Sequence, residues 1–153
     1  MTMPTLQRRN KYGFTLIELL VVIGIIGLLS VLSVIALGSA REKARDAKRV
    51  ADLEKMQSAL ELYFIAHNEY PLAGDAVPLG AGTASCFGVD GFGAIGCAGS
   101  YLERVPVDPS SGSYIYTSAD GVSYQIQADL EGDVDGLRAH VVATPSGISN
   151  AGN

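Results

Sequence analysis

Glu18 is the one charged side chain in an apolar run that extends from Phe14 to Leu37. A charge at the bilayer centre costs about 2.5–3.5 kcal/mol on insertion scales, and less near the end of a span, where Glu18 lies. Such a carboxylate can hold an opposite charge, because attraction between unlike charges strengthens as the dielectric falls. Leaving either member of a desolvated pair alone is costly. The bland alternative is a carboxylate that snorkels to the headgroups or sits protonated. The other residues able to do chemistry are Cys86 and Cys97, the alternating acids Asp129, Glu131, Asp133 and Asp135, and two isolated histidines, His67 and His140. Neither histidine has a Cys or Ser in a recognisable nucleophile motif, so the residues point away from an enzyme.

The run from Phe14 to Leu37 must be positioned by a helix. At 1.5 Å per residue it reaches about 36 Å, enough to cross a hydrocarbon core of roughly 30 Å with some tilt. A short basic leader carrying Arg8, Arg9 and Lys11 ends at Gly13 ahead of it. Small residues recur at Gly24, Gly27, Ser30, Ser33 and Ala36, and a spacing of three drifts around a helix instead of forming one face. No proline lies between Pro4 and Pro71, so any loosening of this helix rests on Gly24, Gly27 or Gly38.

From Ser39 to His67 there is no Pro and no Gly. Charges alternate in sign, and Glu42–Arg45, Asp46–Arg49 and Asp52–Lys55 are i,i+3 opposite pairs, each worth a few tenths of a kcal/mol. Leu53, Met56, Leu60, Tyr63 and Phe64 fall on one stripe that should pack on a small sheet. The basic residues of 41–49 could touch anionic headgroups, pair with acidic neighbours or form a solvated face, and the interleaved acids favour the last. Asn68-Glu69-Tyr70-Pro71 ends the helix, since proline cannot continue it.

A Gly-rich segment over 71–100 follows, and strand patterns begin after Tyr101. Ser113–Thr117 reads as a strand, as does 122–130, where Val122, Tyr124, Ile126, Ala128 and Leu130 alternate with polar residues. Asp120-Gly121 between them is a hairpin signal, and Arg138–Ala143 is a third strand. The expected fold is α+β: a long N-terminal membrane-spanning helix, packed through its C-terminal half on an antiparallel sheet of three or four strands. Charge is split unevenly. The leader carries +3, residues 14–60 carry +1 and residues 61–153 carry −9, for a net −5. An acidic head argues against nucleic acid as a direct ligand, since phosphate binding needs clustered Lys or Arg.

The stretch Gly13-Phe-Thr-Leu-Ile-Glu-Leu-Leu-Val-Val-Ile23 behind its basic leader resembles the N-terminal signature of prepilins, the precursors of type IV pilins and type II secretion pseudopilins. The resemblance implies cleavage by prepilin peptidase between Gly13 and Phe14, N-methylation of Phe14, and a role for Glu18 in assembly through the N-terminal amine of a neighbouring subunit. It implies a cleaved leader over 1–13, a membrane and assembly helix over 14–38, an amphipathic continuation over 39–70 and a globular head over 71–153. Implied partners are the peptidase, other subunits of the same kind and an inner-membrane platform protein. The precursor would sit in the inner membrane with its head extracytoplasmic, and the assembled form would be a surface or periplasm-spanning filament. A type IV pilus-like filament is the leading assignment and a type II secretion pseudopilus the alternative. Outside the family stands a membrane-anchored extracytoplasmic binding domain.

Two observations oppose this reading. Gly38-Ser39-Ala40 would serve as a conventional signal-peptide cleavage site, although the apolar run exceeds the usual 7–15 residues of such signals. Arg41, Lys43, Arg45, Lys48 and Arg49 would place the C-terminal flank in the cytoplasm by charge counting, and only the resemblance reverses that orientation.

In an extracytoplasmic head, Cys86 and Cys97 read as one disulfide closing a loop that is otherwise hard to order. Two free thiols or a metal pair are the alternatives, and no His or third Cys lies nearby for zinc. No cofactor is expected. Asp129, Glu131, Asp133 and Asp135 are weak calcium candidates, because major pseudopilins often bind calcium near this part of the sheet. No EF-hand pattern is completed there, and a solvated acidic turn is the preferred reading.

Overall fold

The computed structural model describes residues 13–152; the basic residues Arg8, Arg9 and Lys11 lie outside the described residues. The chain divides after Ser39 into two compact units. One helix, α1 (Leu16–His67), supplies residues to both.

In the first unit α1 is apolar on every side. All residues from Gly13 to Ser39 are exposed, and the helix runs unbroken across Gly24, Gly27 and Gly38. The Ser30 and Ser33 hydroxyls donate to the carbonyls of Ile26 (2.7 Å) and Leu29 (2.8 Å), so these polar groups are satisfied within the helix. This is what a helix needs in hydrocarbon, where no water completes a hydrogen bond. It is long and apolar enough to cross a membrane.

In the second unit the rest of α1 packs on a sheet. Its buried residues are Asp46, Arg49, Leu53, Met56, Ala59, Leu60 and Tyr63, a stripe with helical spacing. The helix ends at Asn68, whose φ of 59° is the left-handed cap conformation that Asn tolerates. Its amide donates to the Phe64 carbonyl at 2.7 Å. The stop therefore comes three residues before Pro71.

The strands are β1 (Ala73–Pro78), β2 (Cys86–Gly88), β3 (Gly91–Gly93), β4 (Ile115–Ser118), β5 (Gln125–Val134), β6 (Leu137–Thr144) and β7 (Gly147–Asn150). Five of them form an antiparallel sheet in the order β1-β4-β5-β6-β7, and β2 and β3 form a separate ribbon. Tyr114, Tyr116, Tyr124, Ile126, Ala128, Leu130, Val141 and Ala143 form one core with Leu53, Met56, Leu60 and Tyr63 of α1. The ribbon belongs to that core through Phe87, whose ring lies 5.3 Å from Tyr63 and 4.7 Å from Phe92.

The α+β class stands, but the sheet has five strands where three or four are expected. Both added strands are edges. In β1, Gly74, Asp75 and Pro78 suppress the strand signal, and its register slips between Ala73 and Val77. The other, β7, is only four residues long and follows β6 through the two-residue loop Pro145-Ser146. The strand expected over 122–130 starts and ends later. Val122 is exposed, and Asp120 Oδ1 accepts from the amides of Val122 and Ser123 (both 3.0 Å), which turns the chain before β5 begins. At its far end β5 continues through Val134, because β6 keeps pairing with it at Asp133↔Arg138 and Val134↔Leu137. The acidic segment is thus the end of a strand and not a free turn.

Candidate functional site

Charged residues stand out in both units, Glu18 alone in the first and a cluster around Arg49 in the second. In the first unit Gly13, Phe14 and Thr15 precede α1 without regular structure, and Phe14 is 77% exposed. The Gly13–Phe14 peptide bond is therefore outside any helix. The helix start is tied by Thr15 and Glu18. Glu18 N–H donates to Thr15 Oγ1 at 3.3 Å, and Thr15 N–H donates to Glu18 Oε2 at 3.5 Å. This is a reciprocal capping box, which satisfies two of the amides a helix start leaves open. The carboxylate also faces the positive end of the helix dipole. Glu18 is exposed and has no ion pair among the described residues. The Thr-x-x-Glu spacing that encodes this cap is readable in the sequence and was masked by the apolar context.

In the second unit the central group is the Arg49 guanidinium, 3% exposed and surrounded by carboxylates. Its Nε donates to Asp108 Oδ2 at 2.7 Å and its Nη2 to Asp108 Oδ1 at 3.1 Å, a bidentate pair. Nη1 donates to Asp46 Oδ1 at 2.6 Å and to Glu131 Oε1 at 2.8 Å, and Nη2 also reaches Ser110 Oγ. Asp46, 1% exposed, turns its carboxylate to the strand as well. It accepts from the amide of Glu131 at 3.0 and 3.1 Å and from that of Gly132 at 2.7 Å. A Cβ at Gly132 would meet Asp46 Oδ2 at 3.6 Å, an ordinary contact, and would displace only the carboxylate end of Glu42, 2.8 Å away. Glu131 takes a second pair from Arg45.

One helix turn thereby holds three segments: α1 itself, the 106–112 loop around Asp108, and the end of β5. The electrostatics follow. The Arg49 hydrogen bond holds the Asp108 carboxyl well below the usual carboxylate range, aided by the Ser110 amide and hydroxyl. Arg45 first and Arg49 second bring Glu131 down to about 2. Arg49 itself is pushed further up by Asp108, Glu131 and Asp46.

This corrects the solvated reading of the 41–49 face. Asp46 and Arg49 are interior, and their i,i+3 pair is one contact in a larger cluster. Arg45 pairs with Glu131 and not Glu42; Asp52 pairs with Lys48 at 2.6 Å and not Lys55, and it also accepts from the buried Tyr114 hydroxyl at 2.9 Å. The signal was present, because the stripe Leu53, Met56, Leu60 extended backwards by helical spacing lands on Arg49 and Asp46.

The four alternating acids are not gathered into one cluster. Asp129 pairs with His140, Glu131 with the two arginines, and Asp133 with Arg138 at 2.6 Å, while Asp135 sits at a turn with φ 53°. No group of three or more His, Cys, Asp or Glu suited to a metal ion occurs among the described residues. Cys86 and Cys97 are joined as a disulfide with Cα atoms 5.9 Å apart, beside the β2–β3 ribbon. The His67 ring stacks on Tyr63 at 4.0 Å and its Nδ1 meets the Tyr63 carbonyl, so it caps the helix end.

Residues 8–40 match the family described as the prokaryotic N-terminal methylation motif. Over about two thirds or more of its length the chain is also similar to proteins named type II secretion system core protein G. It is 32% identical over 115 residues to that of Aeromonas hydrophila, covering 71% of this chain and 74% of that protein. It is 32% identical over 109 residues to that of Escherichia coli K12, with coverages of 67% and 69%. It is 31% identical over 117 residues to that of Pseudomonas aeruginosa, with coverages of 72% and 76%. No solved structure matches at comparable significance.

Proposed function

The chain belongs to the family of type IV prepilins and type II secretion pseudopilins, and we propose that within it this protein is a pseudopilin: a structural subunit of a secretion filament. The observation that carries the proposal is the similarity to the type II secretion core proteins, which spans 115 residues and so reaches well beyond the shared N-terminal motif. It favours the secretion filament, the alternative on sequence alone, over the surface pilus that led there.

In this reading prepilin peptidase cuts between Gly13 and Phe14, where the chain is exposed and not yet helical. Methylation of Phe14 follows. The apolar part of α1 holds the subunit in the inner membrane until assembly, with the head on the extracytoplasmic side. Glu18 then meets the Phe14 amine of a neighbour. A platform protein in the membrane and further copies of the chain are the working partners, and no catalytic step is assigned to this chain itself. The Cys86–Cys97 bond suits an oxidising compartment.

The test is the N-terminal peptide mass of protein produced together with its peptidase. A start at methylated Phe14 supports the proposal. A start at Arg41 means conventional signal cleavage and removes Glu18 from the mature chain. In the native host, a secretion defect without surface filaments after gene deletion separates the pseudopilus from the pilus.

A further inference from the structure

The resemblance to major pseudopilins makes Asp129, Glu131, Asp133 and Asp135 weak calcium candidates near the acidic end of the sheet, and the residues present do not fit a calcium ion. Calcium takes 6–8 oxygen ligands at 2.3–2.6 Å. Asp129, Glu131 and Asp133 alternate along β5, so successive ones are about 7 Å apart along the strand. Each is engaged by a different partner: Asp129 by the His140 ring, Glu131 by Arg45 and Arg49, and Asp133 by Arg138. The carboxylates that do converge, Asp46, Asp108 and Glu131, converge on a guanidinium. Its charge opposes a divalent ion at the same place.

We infer that Arg49 is the resident cation of this head: its buried guanidinium joins α1, the 106–112 loop and the end of β5, and the head folds independently of calcium. The fork geometry of arginine suits the task. Five N–H donors in a plane engage Asp108 by two bonds and still reach Asp46, Glu131 and Ser110. A metal would need the same oxygens turned inward around a smaller sphere. The network also satisfies its own acceptors, since the second oxygen of Asp46 is held by the Gly132 amide and Asp108 Oδ1 by the Ser110 amide at 2.8 Å. This inference concerns the head alone and stands apart from the choice of filament.

The experiment is thermal unfolding of the full chain in detergent micelles, followed by near-ultraviolet circular dichroism of the buried tyrosines, in EGTA and in millimolar calcium chloride. Calorimetric titration with calcium accompanies it. Wild type is expected to give the same midpoint in both within about 1 °C and no saturable heat, while Arg49→Gln falls by about 10 °C or more in both. If Arg49→Gln does not fold, Arg49→Lys provides the reading, with a smaller drop that calcium does not restore. A calcium-dependent rise in the wild-type midpoint, saturable binding, or an Arg49 variant as stable as wild type would overturn the inference.

Discussion

Glu18 and Arg49 lie on the same helix, yet their charges are treated in opposite ways. Arg49 is interior and meets three carboxylates of its own chain. Glu18 is exposed, holds only the amide of Thr15, and stands at the start of a span long and apolar enough to cross a membrane. A charge with a full set of internal partners stabilises its own fold. A charge placed in a low-dielectric setting without an internal counter-ion must snorkel to the headgroups, take up a proton, or find its counter-ion on another molecule. The contrast assigns the first group to holding the head together and is what the proposed role of Glu18 in joining subunits requires.

The largest effect that would break this comparison lies in the head. Asp108→Ala removes the bidentate partner of Arg49 and leaves a guanidinium in the interior with less compensation. The expected loss is about 3–5 kcal/mol in urea unfolding of the head, with N-terminal processing unchanged. A loss below about 1 kcal/mol would place Asp108 in the class of surface pairs and dissolve the contrast.

A smaller effect concerns acid. The Glu131 carboxyl lies at about 2 in the folded head against an ordinary value of 4.5. A depressed carboxylate contributes stability that is present above its unfolded pKa and is lost as pH falls through the folded one. The head should therefore keep constant stability from neutral pH down to about 4.5, then weaken towards about 2, with the lowered Asp108 adding to the decline at its acid end. Unfolding midpoints measured against pH check this, and Glu131→Gln should flatten the slope in that window. A decline between pH 7 and 5 would locate the sensitivity elsewhere.

The smallest expected effect is at the helix start. Thr15→Val removes one half of the capping box and should cost about 0.5–2 kcal/mol of local helix stability. Amide hydrogen exchange at Leu16 to Leu19 in micelles reads it directly, and exchange in the head should not change.

The N-terminal unit was legible because its signal is compositional: an apolar run of membrane length, a basic leader and one misplaced carboxylate. The packing stripe of α1 and the inner face of β5 were legible through their periods of 3.6 and 2. The edge strands β1 and β7 were not, because short edges carry Gly, Asp and Pro that a buried strand excludes. The Arg49 cluster was hidden for a different reason. Local reading pairs each charge with its i,i+3 neighbour, whereas Asp108 and Glu131 arrive from 59 and 82 residues away. Their arrival depends on the sheet having formed, and no local spacing records it.

The most direct test of the central claim is Glu18→Ala in cells that carry the rest of the secretion machinery. Membrane insertion, the N-terminal mass and sheared filaments are measured on the same culture. The account predicts a chain that is inserted, cut and methylated at Phe14 and normally folded in its head, with assembled filament reduced to background. Filaments at the wild-type level from the processed variant would contradict it, and would leave Glu18 as a helix cap and nothing more.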